Sequence, residues 1–112
     1  MSAAASQPLS PLLAAVDEVV TSWPAVHGKN VFGHRGWVRA GTMLGFVADD
    51  GVAIKALSRQ HADALYARPG ARPFVYNGSM EMRGWPVLPV AGDSDVSDAL
   101  SELQRVYEAV SD

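Results

Sequence analysis

The amino-acid sequence predicts one α+β domain, an antiparallel β-sheet of about five strands with helices packed on one face, in the chain order αβββαββα. Two patterns lead to this prediction. Apolar residues recur every three or four positions near both ends of the chain, as on one face of a helix, whereas between Asn30 and Leu57 they recur every second position, as in strands. The length of 112 residues fits a single domain, and a composition of 48% hydrophobic and 19% charged residues supplies the apolar area for one core.

The first helix is preceded by small and polar residues without a helical period. We therefore predict a flexible tail over residues 1–9 and a domain over residues 10–112. Ser10 and Pro11 supply an N-cap and a proline at the first helical position, and Pro24 ends the helix. Its predicted apolar face consists of Leu12, Leu13, Val16, Val19, Val20 and Trp23.

The middle of the chain predicts an antiparallel meander of three short strands, separated by Ala40-Gly41 and Asp50-Gly51. Asp-Gly accepts the positive φ angles of a type I′ turn, so the second hairpin is predicted to be the firmer of the two. The predicted core-facing residues are Leu44, Phe46 and Ala48 on the second strand and Val52, Ile54 and Ala56 on the third.

A second helix and a second hairpin follow the meander. Ser58 is predicted to cap a short helix that runs to about Ala67. A strand over Phe74 to Tyr76 then leads into a turn at Asn77-Gly78.

The last strand and the last helix complete the predicted order. The run from Met80 to Val90 contains Pro86 and Pro89, which lack the N–H group that a β-ladder needs, so it predicts a sheet edge or a bulged strand. Acidic residues from Asp93 onward then favour a helix start. The apolar stripe of this helix consists of Val96, Ala99, Leu100, Leu103, Val106, Tyr107 and Val110.

Charge is distributed unevenly along the chain, whose formal net charge is −3. Residues 27–83 hold eight of the nine Lys and Arg but four of the twelve Asp and Glu, so this part carries +4 and the two ends together −7. A basic centre is either an anion or nucleic-acid surface or a set of strands that happen to carry arginine. No Lys or Arg precedes Lys29, and the longest apolar run near the N-terminus is Leu12 to Val16. We therefore expect no secretory signal, no membrane segment and a cytoplasmic protein.

The residues that usually carry catalysis or metal binding show no recognisable spacing. There is no cysteine, and His27, His34 and His61 are separated by 7 and 27 residues, which matches no short zinc-ligand motif. The sequence has no Gly-x-Ser-x-Gly motif, and its glycines do not form a phosphate loop. We therefore predict no catalytic residue, no metal site and no cofactor.

Several segments, read in order, resemble a known family. They are Val31-Phe32-Gly33 with Gly36, Gly51-Val52-Ala53-Ile54-Lys55, Pro69-Gly70-Ala71-Arg72-Pro73-Phe74 and Met82-Arg83-Gly84-Trp85-Pro86-Val87-Leu88-Pro89. Together they resemble the TfoX N-terminal domain family over roughly residues 12–110. The resemblance implies a compact α+β domain with an antiparallel sheet, found alone or fused to a helical domain in regulators of natural competence, with no established catalytic residues.

Two departures limit what the resemblance implies. Where the family often has Phe-Gly-Gly, this chain has Phe32-Gly33-His34, so a close backbone contact at the second glycine is not carried over. The chain ends at Asp112, so the C-terminal domain of the competence regulators is not expected, and neither is a role in competence.

The sequence favours a non-enzymatic binding or regulatory module, because it offers a core and no set of catalytic groups. The expected partner is another protein or a second copy in a homodimer, in which two chains pair edges at Trp85 to Val90 or share the last helix. One alternative is a nucleic-acid-binding protein that uses a basic and aromatic sheet face. The other is a small-molecule binder or enzyme, which a pocket shared by Lys55, Arg83 and His34 would favour.

The candidate binding residues are Arg35, Trp37, Arg39, Lys55 and Arg83. Strand alternation places the first three on one face, with Phe32, His34, Gly36 and Val38 on the other. We predict that this Arg-Trp-Arg row, with Lys55 nearby, lies on the face that the helices leave open, where it could stack a base and hold phosphate. In the alternative, a glycine bulge reverses the phase and places Trp37 in the core.

Overall fold

The computed structural model describes residues 9–31 and 33–110, so most of the predicted tail, and Phe32, lie outside the described residues. The elements are α1 (Pro11–Ser22), β1 (Val26–Val31), β2 (His34–Arg39), β3 (Thr42–Ala48), β4 (Gly51–Ile54), α2 (Arg59–Tyr66), β5 (Arg72–Tyr76), β6 (Met80–Pro89) and α3 (Asp93–Ala109). The α+β class, the antiparallel sheet and the order of elements are confirmed. Within the described residues the sheet has six strands, because β1 begins before the predicted meander.

The strands form one antiparallel sheet in the order β1-β2-β3-β4-β6-β5. β6 therefore lies between β4 and β5, and the expectation that Trp85 to Val90 is a sheet edge is wrong. The alternative of a bulged strand is confirmed, because Pro73 pairs with Pro86 while Phe74 pairs with Met82. Residues 83–85 bulge out between these two pairs, and the bulge lets a strand with two prolines occupy the sheet interior. The edges are β1 and β5.

All three helices contribute to one core on the same face of the sheet. The predicted caps at Ser10 and Ser58 are present, because their Oγ atoms accept hydrogen bonds from the N–H groups of Leu13 and His61. Among the described residues, no helix is long and apolar enough to cross a membrane. The buried members of the helix-side core are Leu13, Val16, Val20, Trp37, Leu44, Val47, Val52, Ile54, Leu65, Leu88, Val90, Ala99, Leu103 and Val106.

A second, smaller cluster fills the other face of the sheet with side chains from strands alone. Its buried members are Phe46, Ala48, Ala53, Phe74 and Val87. The sheet curls so that Phe74 of β5 approaches His34 of β2, with 5.8 Å between ring centroids. This curl buries apolar side chains without a covering helix.

The prediction that Leu44, Phe46 and Ala48 share one face is wrong, although all three are buried. Trp37 pairs with Gly45 and Val38 with Met43, so Leu44 is an extra residue on β3. This β-bulge lets Leu44 pack against the helices, while Phe46 and Ala48 pack on the opposite face. On β4, Val52 and Ile54 lie in the helix-side core as predicted, and Ala56 is half-buried beyond the end of the strand.

The second hairpin was predicted to have the more regular two-residue turn, but the first hairpin has it. Ala40 and Gly41 both have positive φ, 51° and 80°, as a tight two-residue turn requires. In the second hairpin Ala48 pairs with Gly51, so Asp49 and Asp50 form the turn, one residue earlier than predicted. Of these two, Asp49 has the positive φ, at 55°.

Gly45 is a position where the sheet and α3 come too close for a side chain. A Cβ atom there would collide with the carbonyl oxygen of Ala53 on β4 and lie 2.8 Å from Cδ2 of Leu103. We expect Gly45→Ala to lower the free energy of unfolding by about 1–3 kcal/mol, because the neighbouring backbone must move. Urea denaturation measures this loss.

Gly84→Ala is the matched control, since an added Cβ there meets nothing within 4 Å. Its stability should stay close to that of the parent. Equal stability of the Gly45→Ala and Gly84→Ala proteins would contradict the close approach of β3, β4 and α3.

Candidate functional site

The predicted Arg35-Trp37-Arg39 row does share one face of β2, but the helices cover that face. Trp37 is fully buried, with 0% of its surface exposed, in the core formed with α1 and α3. The predicted outward orientation is therefore wrong, and the alternative that Trp37 lies in the core is confirmed. Burying the indole removes a large apolar area from water, provided that its N–H group finds a partner.

Asp17 of α1 is that partner. Its Oδ1 atom accepts hydrogen bonds from Nε1 of Trp37 and from Nε of Arg35, each at 2.8 Å. The carboxylate thus satisfies the buried indole and pairs with a guanidinium that is 40% exposed. These contacts join α1 to β2 and give Arg35 and Trp37 structural roles.

Arg39 is held by the last turn of α3. Its Nη1 atom donates a 2.6 Å hydrogen bond to the carbonyl oxygen of Tyr107, and its guanidinium lies 4.1 Å from the centroid of the Tyr107 ring. An arginine at a helix C-terminus also interacts favourably with the unpaired carbonyl groups there. The binding role predicted for Arg39 would require an aromatic and a carbonyl contact to be given up.

Lys55 and Arg83 lie close to the bulge of β6, where the Ala56 N–H group donates to the carbonyl oxygen of Gly84 at 3.1 Å. Their cationic groups lie over different rings: Nζ of Lys55 is 5.8 Å from the centroid of Trp85, and Cζ of Arg83 is 5.0 Å from that of Tyr66. The five predicted binding residues therefore do not form one surface.

Tyr66 lies close to this bulge, and the pKa of its hydroxyl group is shifted. Burial raises its pKa above the usual value near 10, and the positive charge of Arg83 opposes part of that rise. The hydroxyl donates a 2.9 Å hydrogen bond to the carbonyl oxygen of Arg83. Tyr66 therefore remains a protonated donor at neutral pH and fixes α2 to β6.

The groups considered for an enzyme do not converge. The ring of His34 packs against Phe46 and Phe74 and borders a cavity beside the N-terminus of α1. Arg83 borders a different cavity, between α2 and β6, and Lys55 lines neither. In the described part of the chain no three His, Asp or Glu side chains are grouped so that they could hold a metal ion.

An exposed apolar patch lies at the hairpin formed by β5 and β6, and sequence reasoning did not single it out. Tyr76 and Met80 pair across the two strands and share one face of the sheet; they are 36% and 61% exposed, and we call them the hairpin patch. Val75 is 44% exposed and points to the opposite face of β5. All three flank the Asn77-Gly78 turn, in which both residues have positive φ. The signal in the sequence was apolar residues close to both sides of a tight turn, Val75 and Tyr76 before it and Met80 after it, where polar residues are usual. Within the described residues, β5 pairs with β6 alone, so its other side is a free edge.

A groove between α2 and α3 is a second feature that the sequence did not indicate. It is open to solvent, has a volume of about 540 Å³ and contains Glu102, a carboxylate that is 6% exposed. Its charged and polar partners are His61 at 3.3 Å, Arg68 at 2.7 Å and Arg105 at 3.4 Å. The signal was a glutamate adjoining the apolar stripe of α3, but its partners, Arg68 just beyond α2 and His61 on α2, are 34 and 41 residues away in the chain.

Comparison of the chain with protein-family models, with curated proteins and with solved structures found no match. The resemblance to the TfoX N-terminal domain family therefore stays a prediction. Three features of the described residues are candidate binding sites: the free edge of β5, the hairpin patch and the groove between α2 and α3.

Proposed function

We propose that this chain is a non-enzymatic binding module that holds an extended segment of a protein partner along the free edge of β5. The observation that carries the proposal is the hairpin patch beside that edge. Of the five large hydrophobic side chains that are exposed among the described residues, three lie at this hairpin: Tyr76 and Met80 form the patch, and Val75 lies on the opposite face of the same edge strand. Clustered exposed apolar groups are typical of interaction sites, whereas single ones are ordinary.

Strand addition explains why an edge and a patch occur together. The free edge presents backbone N–H and C=O groups that an extended segment can pair with, which supplies affinity. Side chains of the added strand then lie beside Val75 and Tyr76, which supplies apolar contact. A partner segment with apolar residues at these positions would bury surface that β5 now exposes to water.

The opposite edge of the sheet is less suited to strand addition. β1 carries the exposed polar residues His27, Lys29 and Asn30. Lysine on an edge strand opposes pairing with a further strand, because its charge would have to be desolvated. β5 has a charged residue and a proline at its start, Arg72 and Pro73, so the contrast that favours β5 comes from its exposed apolar end, Val75 and Tyr76.

The non-enzymatic part of the proposal rests on the state of the polar groups. Asp17, Arg35 and Arg39 make intramolecular contacts that hold helices to the sheet. Lys55 and Arg83 lie over aromatic rings and share no cavity with His34. The resemblance to a regulatory family without established catalytic residues supports the same interpretation.

Nucleic-acid binding stays a prediction with less support. Three of the five residues chosen for it, Arg35, Trp37 and Arg39, contact α1 or α3. A nucleic acid could reach Lys55 and Arg83, but these two lie against separate rings. We therefore favour a protein partner.

Peptide-library display against the immobilised chain tests the proposal. We expect enriched peptides to be extended and apolar, to slow amide hydrogen exchange in Arg72–Tyr76, and to bind Val75→Lys protein at least tenfold more weakly than the parent. A lysine on the binding edge would oppose pairing and remove apolar contact. Val19→Lys is the matched control, since Val19 is a similarly exposed valine on α1.

Three results would overturn the proposal. One is that no peptide is enriched, and another is that enriched peptides bind the Val75→Lys and Val19→Lys proteins equally. The third is a dimer in sedimentation at about 50 μM, a concentration suited to weak association, that Val75→Lys returns to monomer. That result would assign the edge to a second copy of the chain.

A further inference from the structure

We propose that the groove between α2 and α3 binds a small organic acid, with the carboxylate held by Arg68 and Arg105 and a hydrocarbon body against Leu57 and Leu65. The groove is open to solvent, and its volume of about 540 Å³ falls within the range of about 300–1,000 Å³ that is usual for small-molecule sites. An apolar lining with a few convergent polar groups is the ordinary composition of such sites. This inference is independent of the β5 edge.

Two guanidinium groups and two carboxylates meet at the groove, so their formal charges balance. Oε2 of Glu102 lies 2.7 Å from Nη2 of Arg68, and Oε1 lies 3.4 Å from Nε of Arg105. Asp98 adds a looser contact, 3.8 Å from Nη1 of Arg68, on a side chain that is 60% exposed. Arg68 is therefore engaged by two carboxylates, whereas Arg105 contacts one of them through Nε.

Arg105 has donors to spare for a ligand. Within the described residues its interaction is the contact of Nε with Glu102, and its side chain is 63% exposed. Each guanidinium has five N–H donors in a planar fork that matches a carboxylate. Glu102 fixes the direction of the Arg105 side chain, so a ligand carboxylate can accept from its Nη groups without first ordering it.

His61 forms a wall of the groove and is not the ligand-binding group. Its Nδ1 atom accepts a 3.0 Å hydrogen bond from the N–H group of Leu57. Its Nε2 atom therefore carries the proton that it donates to Oε1 of Glu102, at 3.3 Å. With both ring nitrogens engaged, His61 holds the carboxylate in place and leaves recognition of an anion to the arginines.

The apolar side chains of the groove determine which hydrocarbon body the ligand can have. Leu65 is buried at the floor, and Leu57 is 40% exposed at the rim. Ala64 and Ala109 border the groove with small side chains that leave room for a hydrocarbon body. A short aliphatic or aromatic acid would cover Leu57 and place its charged end beside Arg105.

Titration calorimetry with sodium hexanoate at constant ionic strength tests this site. For a ligand of this size we expect a Kd of about 1 mM. Hexan-1-ol, which has the same hydrocarbon body without the charge, should bind at least tenfold more weakly. Arg105→Gln should weaken hexanoate binding by a similar factor, because it removes charge-assisted hydrogen bonds.

Arg59→Gln is the control variant, since Arg59 is an exposed arginine on α2 that borders another cavity. It should bind hexanoate as the parent does. Melting curves of both variants check folding, and NMR shifts of the His61 and Leu57 signals place the ligand. Equal binding of hexanoate and hexan-1-ol, equal binding by the Arg105→Gln and Arg59→Gln proteins, or no binding at several times 1 mM would each overturn the proposal.

Discussion

Replacing Trp37 with alanine is expected to lower the free energy of unfolding by about 3–5 kcal/mol. The indole is fully buried between the sheet and α1, so its removal leaves a cavity and takes a donor from Asp17. Urea denaturation followed by far-UV circular dichroism measures the loss. The effect is among the largest that a single substitution in this domain should produce.

Trp37→Phe separates the two contributions. Phenylalanine keeps much of the apolar area but cannot donate to Asp17, which would retain its contact with Arg35. The loss for phenylalanine should therefore be smaller than that for alanine. A cost below about 1 kcal/mol for Trp37→Ala would contradict the burial of this side chain, since core tryptophans cost several times more.

Leu103→Ala is expected to cost about 2–5 kcal/mol. Leu103 is fully buried at the middle of α3, and its Cδ2 atom faces the space above Gly45 that a side chain would otherwise fill. Removing three carbon atoms there leaves a void that the rigid strands cannot close. Thermal and urea denaturation should give the same ranking of the variant against the parent.

Gln104→Ala is the control for this substitution, because Gln104 is the exposed neighbour of Leu103 on the same helix. Its effect should stay within about 0.5 kcal/mol, as for most surface positions. A similar cost for the two variants would contradict the packing role of Leu103, because alanine has the highest helix propensity and neither substitution weakens the helix itself.

The elements of this fold could be predicted because their signals are local. Ser10 and Ser58 cap helices through hydrogen bonds to residues three positions away. The alternation of β2 likewise follows from backbone geometry, and Arg35, Trp37 and Arg39 do share a face. Local pattern alone cannot say which face of a strand the helices will cover, and this is why the row was assigned to the wrong side.

Errors in the predicted sheet come from pairing between distant segments. Pro86 and Pro89 made β6 a natural candidate for an edge, yet a bulge of three residues lets it pair on both sides. The extra residue Leu44 reverses the phase within β3. Such bulges depend on the register of neighbouring strands, which alternation within one strand does not encode.

The candidate sites could not be predicted from the sequence for a related reason. The groove between α2 and α3 exists because Glu102 meets Arg68 and His61 across 34 and 41 residues of chain. The hairpin patch is built from neighbours in sequence, but its exposure depends on the position of β5 at the end of the sheet. In both places the sequence shows which side chains are present, but it does not show which of them are exposed to solvent.

The contacts of Tyr107 determine which segments of the domain can unfold separately. Its hydroxyl donates to the carbonyl oxygen of Pro24, its ring lies 5.2 Å from that of Trp23, and its own carbonyl oxygen accepts from Arg39. One side chain near the end of α3 therefore joins the exit of α1 to the end of β2. Partial unfolding that releases α3 would also expose the first helix and the second strand, so these three segments form a single cooperative unit.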